Sequence, residues 1–298
     1  MENQIQATTE QTENVTALPS TEIKHENTLF AEPITHIGSF PVTNSLITSW
    51  VAVFILIILA TILRTKLKNV PGKLQHFFEI ILEGGLSLAD QVTGSRKTTE
   101  KVFPLAISIF FFVLINNWLG ILPLGGFGIL EHGAEGSVFV PFLRSGTADI
   151  NTTLMLAAIA VIGSNIFGIV SIGVWKMFNK YVNLKALGGI VTKVRHEPTI
   201  LLIAPITFFV GILELVGELA KVASLSFRLF GNVFAGEVLL ASMGALLAYG
   251  LPLPFLFLEV FVGVIQALIF SMLVLVYFTI AAQDHDAHEE HEVEHAHA

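Results

Sequence analysis

The chain has 298 residues, 53% hydrophobic and only 13% charged, with a formal net charge of −8 and no cysteine. Soluble domains carry about 25% charged residues, and the mean hydropathy of +0.72 fits a polytopic membrane protein. Without cysteine there are no disulfides, thiolate zinc sites or cysteine nucleophiles. No G-x-x-x-x-G-K-[ST] motif occurs either, so nucleotide chemistry is assigned to other chains.

Residues 1–40 are rich in Glu, Thr, Gln and Asn and read as a flexible polar extension. Their acidic start, Met1-Glu2-Asn3-Gln4, lacks the basic-then-apolar order of a cleaved signal. Residues 41–283 read as a membrane-embedded, all-α domain with about five spans. The first is the uncharged run Ile47 to Leu63, followed by Arg64-Thr65-Lys66-Leu67-Lys68 and a Pro71-Gly72 break. From Lys73 to Gln91, Leu74, Phe77, Phe78, Ile81 and Leu88 recur at helical spacing, with Gln75, His76, Glu79, Glu83 and Asp90 on the other face. That pattern predicts an amphipathic helix on the membrane surface.

A second span lies within Val102 to Leu130 and ends near Leu122-Pro123-Leu124-Gly125-Gly126. Gly126 to Gly146 reads as a loop, Ile150 to Trp175 as a third span and Lys176 to His196 as a basic connector. Thr199 to about Tyr249 is one long apolar helix, which turns at Gly250–Pro254 into a last helix from Phe255 to about Ala282. Residues 284–298 form an acidic tail with five histidines, at 285, 288, 291, 295 and 297. Histidines at i, i+3 can chelate metal, but a solvated tail is the simpler reading and no metal or cofactor is assigned.

Of 16 Lys and Arg, 7 lie between Arg64 and Lys101 and 5 between Lys176 and Arg195. The positive-inside tendency therefore places both segments in the cytoplasm, the N-terminus outside and the C-terminus inside.

Arg228 stands inside the long apolar helix, where a charge that cannot be shed costs roughly 2.5–3.5 kcal/mol at mid-bilayer. Glu214, Glu218, Lys221, Leu225, Arg228 and Asn232 follow at spacings of 4, 3, 4, 3 and 4, which keeps them on one helical face. Positions three and four from Arg228 hold Ser224, Leu225, Gly231 and Asn232, so no acid on its own helix neutralises it. Its partner is expected on another element or chain. Glu237, nine residues on, faces the opposite way and lies about 13 Å along the axis.

Folding the last helix back across the turn puts Arg228 level with Gln266 and Glu237 level with Glu259 in a single register. Two adjacent carboxylates share a proton more readily than either ionises beside the other, which suits a relay. The plainer alternatives are polar groups that satisfy each other, or acids facing separate pockets.

Ser226-Phe227-Arg228-Leu229-Phe230-Gly231-Asn232, Ala235-Gly236-Glu237 and Ile265-Gln266-Ala267-Leu268-Ile269-Phe270 resemble subunit a of the F-type ATP synthase. Val70-Pro71-Gly72-Lys73-Leu74-Gln75 and Asn117-Trp118-Leu119-Gly120-Ile121-Leu122-Pro123 match it too, and the resemblance runs over roughly residues 40 to 283. It implies a non-catalytic subunit of the bacterial plasma (inner) membrane, embedded in lipid. Its implied partners are a ring of c subunits, the b-subunit peripheral stalk and other synthase subunits, with no nucleic acid. It further implies that the last two helices form a slanted hairpin curving around the ring. The resemblance implies an outer half-channel passing Glu237 and Glu259 and an inner one opening near Glu214 and Glu218, with Arg228 between them and Asn232 and Gln266 orienting it. Relatives often carry one Glu and one His where this chain has Glu237 and Glu259.

The alternative is a stand-alone secondary transporter or channel, which calls for internal repeats and paired broken helices; no repeat is found. An intramembrane hydrolase would need a Ser/His or His/Glu constellation, and no histidine falls within a span.

Overall fold

The computed structural model describes residues 28–68, 71–122, 128–133, 136–175, 177, 200–247 and 250–282. Among these are six helices, α1 (Asn44–Lys66), α2 (Lys73–Thr93), α3 (Arg96–Ile121), α4 (Ile150–Ile172), α5 (Ile200–Leu246) and α6 (Pro252–Ala282). Two antiparallel hairpins accompany them, β1 (Pro33–Ile37) with β2 (Phe40–Thr43) and β3 (Gly128–Gly133) with β4 (Gly136–Pro141). All helices but α2 contain a stretch long and apolar enough to cross a membrane, which gives the five expected spans. The basic connector near 176–196 and the His-rich tail fall outside the described residues, apart from Met177.

Both hairpins occupy stretches that composition marks as extension or loop. At the first, Gly38 takes φ of 67° between short β-prone runs (Ile34-Thr35-His36-Ile37 and Phe40-Pro41-Val42-Thr43), so a tight turn closes the pair. Thr43 then caps α1, its Oγ1 accepting a bond from the Leu46 N–H at 3.4 Å.

The long helix dictates the architecture. At 47 residues, α5 measures about 70 Å, more than twice the roughly 30 Å thickness of the hydrocarbon core. α6 is the centre of the bundle. Its buried positions Ala267, Phe270, Val274, Leu275 and Phe278 pack against Val102, Ala106, Ile109 and Val113 of α3 and Ala157 and Ala160 of α4. Ser271 Oγ donates to the Ala106 carbonyl at 2.7 Å, a polar tie inside this apolar seam. α4 presents Thr153, Ala157, Ala160, Ser164 and Gly168 as its buried stripe, small side chains that let neighbouring backbones approach. The amphipathic α2 packs on α3 and α6, with Phe78 against Phe111 and Phe103 over Gly85.

Candidate functional site

Each charged group is positioned by its place along α5. The first turns of α3 and the far end of α1 lie at one end of the bundle. The opposite end carries both β-hairpins, the starts of α1, α4 and α6 and the close of α5. We call this second end the β-hairpin end.

Arg228 is exposed and, among the described residues, makes no hydrogen bond or ion pair. Its neighbours on α5, Leu225 and Leu229, are 1% and 0% exposed, so the helix buries its apolar flank and turns the arginine outward. The same outward face carries Ala220, Ser224 and Ala235, and nothing approaches the Cα of Gly217 or Gly231. The cation thus sits in a strip of small residues spaced three and four apart, open to close approach by another surface. Asn232 is half-buried on the next turn. Gln266, expected level with Arg228, is 6% exposed, and its Nε2 has no hydrogen-bond partner. No bond joins the two in this structure.

Nine residues along α5, Glu237 and Glu259 do come together. The Glu259 carboxylate rests on the Cα of Gly236, where any Cβ would collide with it. A side chain at 236 would push the Glu259 carboxylate out of this position. This contact sits at the register expected from the sequence. Glu237 does not face Glu259 alone: Arg144, just before α4, donates to its Oε2 from Nε at 3.1 Å, and Nη2 lies 3.1 Å from the same oxygen as an ion-pair contact. Arg144 is 8% exposed and spends its remaining donors on the N-terminal segment. Nη1 reaches Thr28 Oγ1 at 3.3 Å and the Phe30 carbonyl at 3.1 Å, and Nη2 the Thr28 carbonyl at 2.7 Å. Glu32 also acts electrostatically on Glu237.

Beside this cluster runs a buried polar network. Asp149 caps α4 by accepting from the Asn151 N–H at 3.1 Å, and also takes bonds from Ser45 and Thr152. Thr147 Oγ1 donates to Asn117 at 2.6 Å, Ser145 to the Asn116 carbonyl at 3.1 Å and Ser49 to Asn116 at 3.3 Å. Asn117 and Trp118 in turn donate to the carbonyls of Gly263 and Val260, both at 3.3 Å, which ties α3 to α6. Thr153 and Ser226 share a bond of 3.2 Å, carrying the polar chain onto α5 two residues before Arg228.

Toward the other end, Glu218 accepts from Lys221 at 2.7 Å and from Asn165 of α4 at 3.2 Å. Lys221 also lies 5.5 Å from the centre of the Tyr277 ring. Glu214 is half-buried one turn earlier. The stripe from Glu214 to Asn232 is thus divided: Glu218, Lys221 and Leu225 face neighbouring helices, and Arg228 does not.

Sequence reasoning missed Arg144, Asn116, Asn117 and Asp149 as members of the site. The signal for Arg144 was its isolation, as the one basic residue between the second and third spans. Asn117 stood inside a recognisable motif but had no visible partner, because Thr147 and Gly263 lie 30 and 146 residues away.

These features define a polytopic α-helical membrane protein whose two longest helices carry ionisable groups into the bilayer. The family model described as "ATP synthase A chain" matches residues 46–279. A relative from Mycobacterium tuberculosis, "ATP synthase subunit a", is 35% identical over 259 residues, covering 85% of this chain and 92% of its own length. Relatives of the same description are 36% identical in Gloeobacter violaceus (82% of this chain, 86% of theirs) and 35% in Syntrophobacter fumaroxidans (83% and 87%). The chain belongs to the ATP synthase A chain family.

Proposed function

We propose that this chain is the stationary, proton-conducting subunit of a rotary F-type ATP synthase in a bacterial plasma membrane. Family membership supports the assignment. The observation that carries the mechanism is an exposed arginine with no counter-charge among the described residues, set in a strip of small residues on the long helix α5. The cost of a fixed charge at that depth is offset when a carboxylate on another chain comes alongside it.

In this reading the β-hairpin end faces outward and the basic segments face the cytoplasm. Protons enter past Glu237 and Glu259 and neutralise a carboxyl group on a c subunit, which then tolerates lipid as the ring turns. Near Glu214 and Glu218 that carboxyl group meets a path to the cytoplasm. Arg228 draws it into its ionised form, so the proton departs. The same positive charge stops protons passing directly from one path to the other, and Asn232 and Gln266 orient it. Each charge moved across 100 mV supplies about 2.3 kcal/mol, so several protons together drive one synthesis event. ATP chemistry resides on partner chains, and the peripheral-stalk b subunit holds this one still.

The test is the assembled complex carrying Arg228→Ala, in sealed vesicles. The expected outcome is loss of ATP-driven proton pumping together with a raised passive proton leak. Normal coupled pumping would refute the role given to this side chain.

A further inference from the structure

Resting on that reading of the outer path, we infer that Arg144 is a positioning residue for proton entry, and that residues 28–32 complete its site. A guanidinium has five N–H donors in a planar fork. Here the fork spans two elements, with Glu237 of α5 on one side and the Thr28 and Phe30 backbone on the other. Arg144 is held at 8% exposure, so neither its charge nor its direction is free. It fixes where the Glu237 carboxylate points, and the N-terminal segment fixes Arg144.

The charged groups around Glu237 come from every element packed there. Arg144 lies on the connector before α4, Glu32 on the segment before β1 and Glu259 on α6, and among the described residues no further ion pair reaches it. Three carboxylates and one cation thus gather at the β-hairpin end. Removing the cation leaves the acids to repel one another and frees Glu237 from its present aim. The proton affinity of the entry path, read from one side of the membrane only, then changes. Lysine at 144 keeps a charge but lacks the fork, so it holds one partner and not both.

The experiment measures ATP synthesis by the complete complex against pH on the β-hairpin side, at fixed cytoplasmic pH, and then the reverse. For Arg144→Gln the half-maximal proton concentration on the β-hairpin side moves by at least about threefold, half a pH unit. The cytoplasmic profile stays in place, and Arg144→Lys falls between Gln and the parent. A normally assembled Arg144→Gln complex with an unmoved profile overturns the proposal. So does a reduced amount of complex whose profile, per complex, matches the parent, since that describes a purely structural arginine. If Arg144→Gln fails to assemble, deletion of residues 2–31 decides: it removes Thr28 and Phe30 while leaving Arg144 and Glu237. A shift on the same side of the membrane supports the proposal and an unmoved profile overturns it. Loss of pumping in Arg228→Ala with unmoved Arg144 profiles sinks this inference alone, whereas normal pumping in Arg228→Ala sinks the reading beneath it.

Discussion

Two arginines of this chain show opposite solutions to the same physical difficulty. Arg144 is buried and satisfied from within, by one carboxylate, two backbone carbonyls and a threonine hydroxyl. Arg228 is exposed and, among the described residues, has neither ion pair nor hydrogen bond. A cation satisfied inside its own chain organises structure, since moving it would strand several buried groups. One left open on a membrane helix calls for a complementary charge or a water-filled cavity supplied from outside. Burial and pairing therefore distinguish the two arginines, which residue type alone does not.

The sharpest way to break this contrast is to make Arg228 resemble Arg144. Ser224 is exposed one turn before it, and Ser224→Glu sets a carboxylate at i−4, in the favourable order for a helical pair. Pairing Arg228 within its own chain competes with any carboxylate brought by a partner. ATP-driven pumping is expected to fall on the order of tenfold, the equivalent of about 1.4 kcal/mol of competing interaction. Ser224→Gln, which adds the bulk without the charge, controls for packing. Undiminished pumping with Ser224→Glu would mean that Arg228 does not need to be free.

The five spans, the amphipathic helix and the long final hairpin were legible because each is written in composition or short-range periodicity. Spans appear as uncharged runs and α2 as an amphipathic pattern. The register of α5 against α6 followed from Gly250–Pro254 and the matched polar levels, and the contact of Glu259 with Gly236 lies at that level. The β-hairpins were hidden in stretches too short and polar to rise above their surroundings. Arg144 was visible but not its partners, since Thr28 and Glu237 are 116 and 93 residues away. The lack of a bond between Arg228 and Gln266 shows the limit of register arguments. Equal depth does not imply equal direction, and α6 turns Gln266 inward while α5 turns Arg228 out.

A smaller effect is expected where the β-hairpin end is held by neutral hydrogen bonds. Thr147 donates to Asn117 at 2.6 Å and shares a bond of 2.7 Å with Ser145, all three side chains being buried. Thr147→Val keeps the shape, removes the hydroxyl and leaves Asn117 Oδ1 without this donor. Interhelical hydrogen bonds in membranes average about 0.6 kcal/mol and reach about 1.7, so thermal unfolding in detergent should show a loss within that range. A variant as stable as the parent would mean that water or a rearranged Asn117 replaces the bond.

The smallest effect belongs to Glu218, although the sequence marks it as strongly as Arg228. Its carboxylate already holds Lys221 at 2.7 Å and Asn165 at 3.2 Å, and Lys221 also lies close to the Tyr277 ring. Glu218→Gln retains an oxygen to accept from Asn165 and leaves Lys221 with the aromatic face and, at 31% side-chain exposure, some access to polar surroundings. An ion pair so placed contributes at most about 1 kcal/mol, so pumping should drop by less than about fivefold. The loss should grow when Glu214→Gln is added, because two acids one turn apart on α5 can substitute for each other as polar footholds on the proposed exit path. Complete loss of pumping in the Glu218→Gln single variant, with the complex assembled, would instead make Glu218 indispensable to proton release. The pairing seen within this chain would then be no guide to which of its charges the translocated proton depends on.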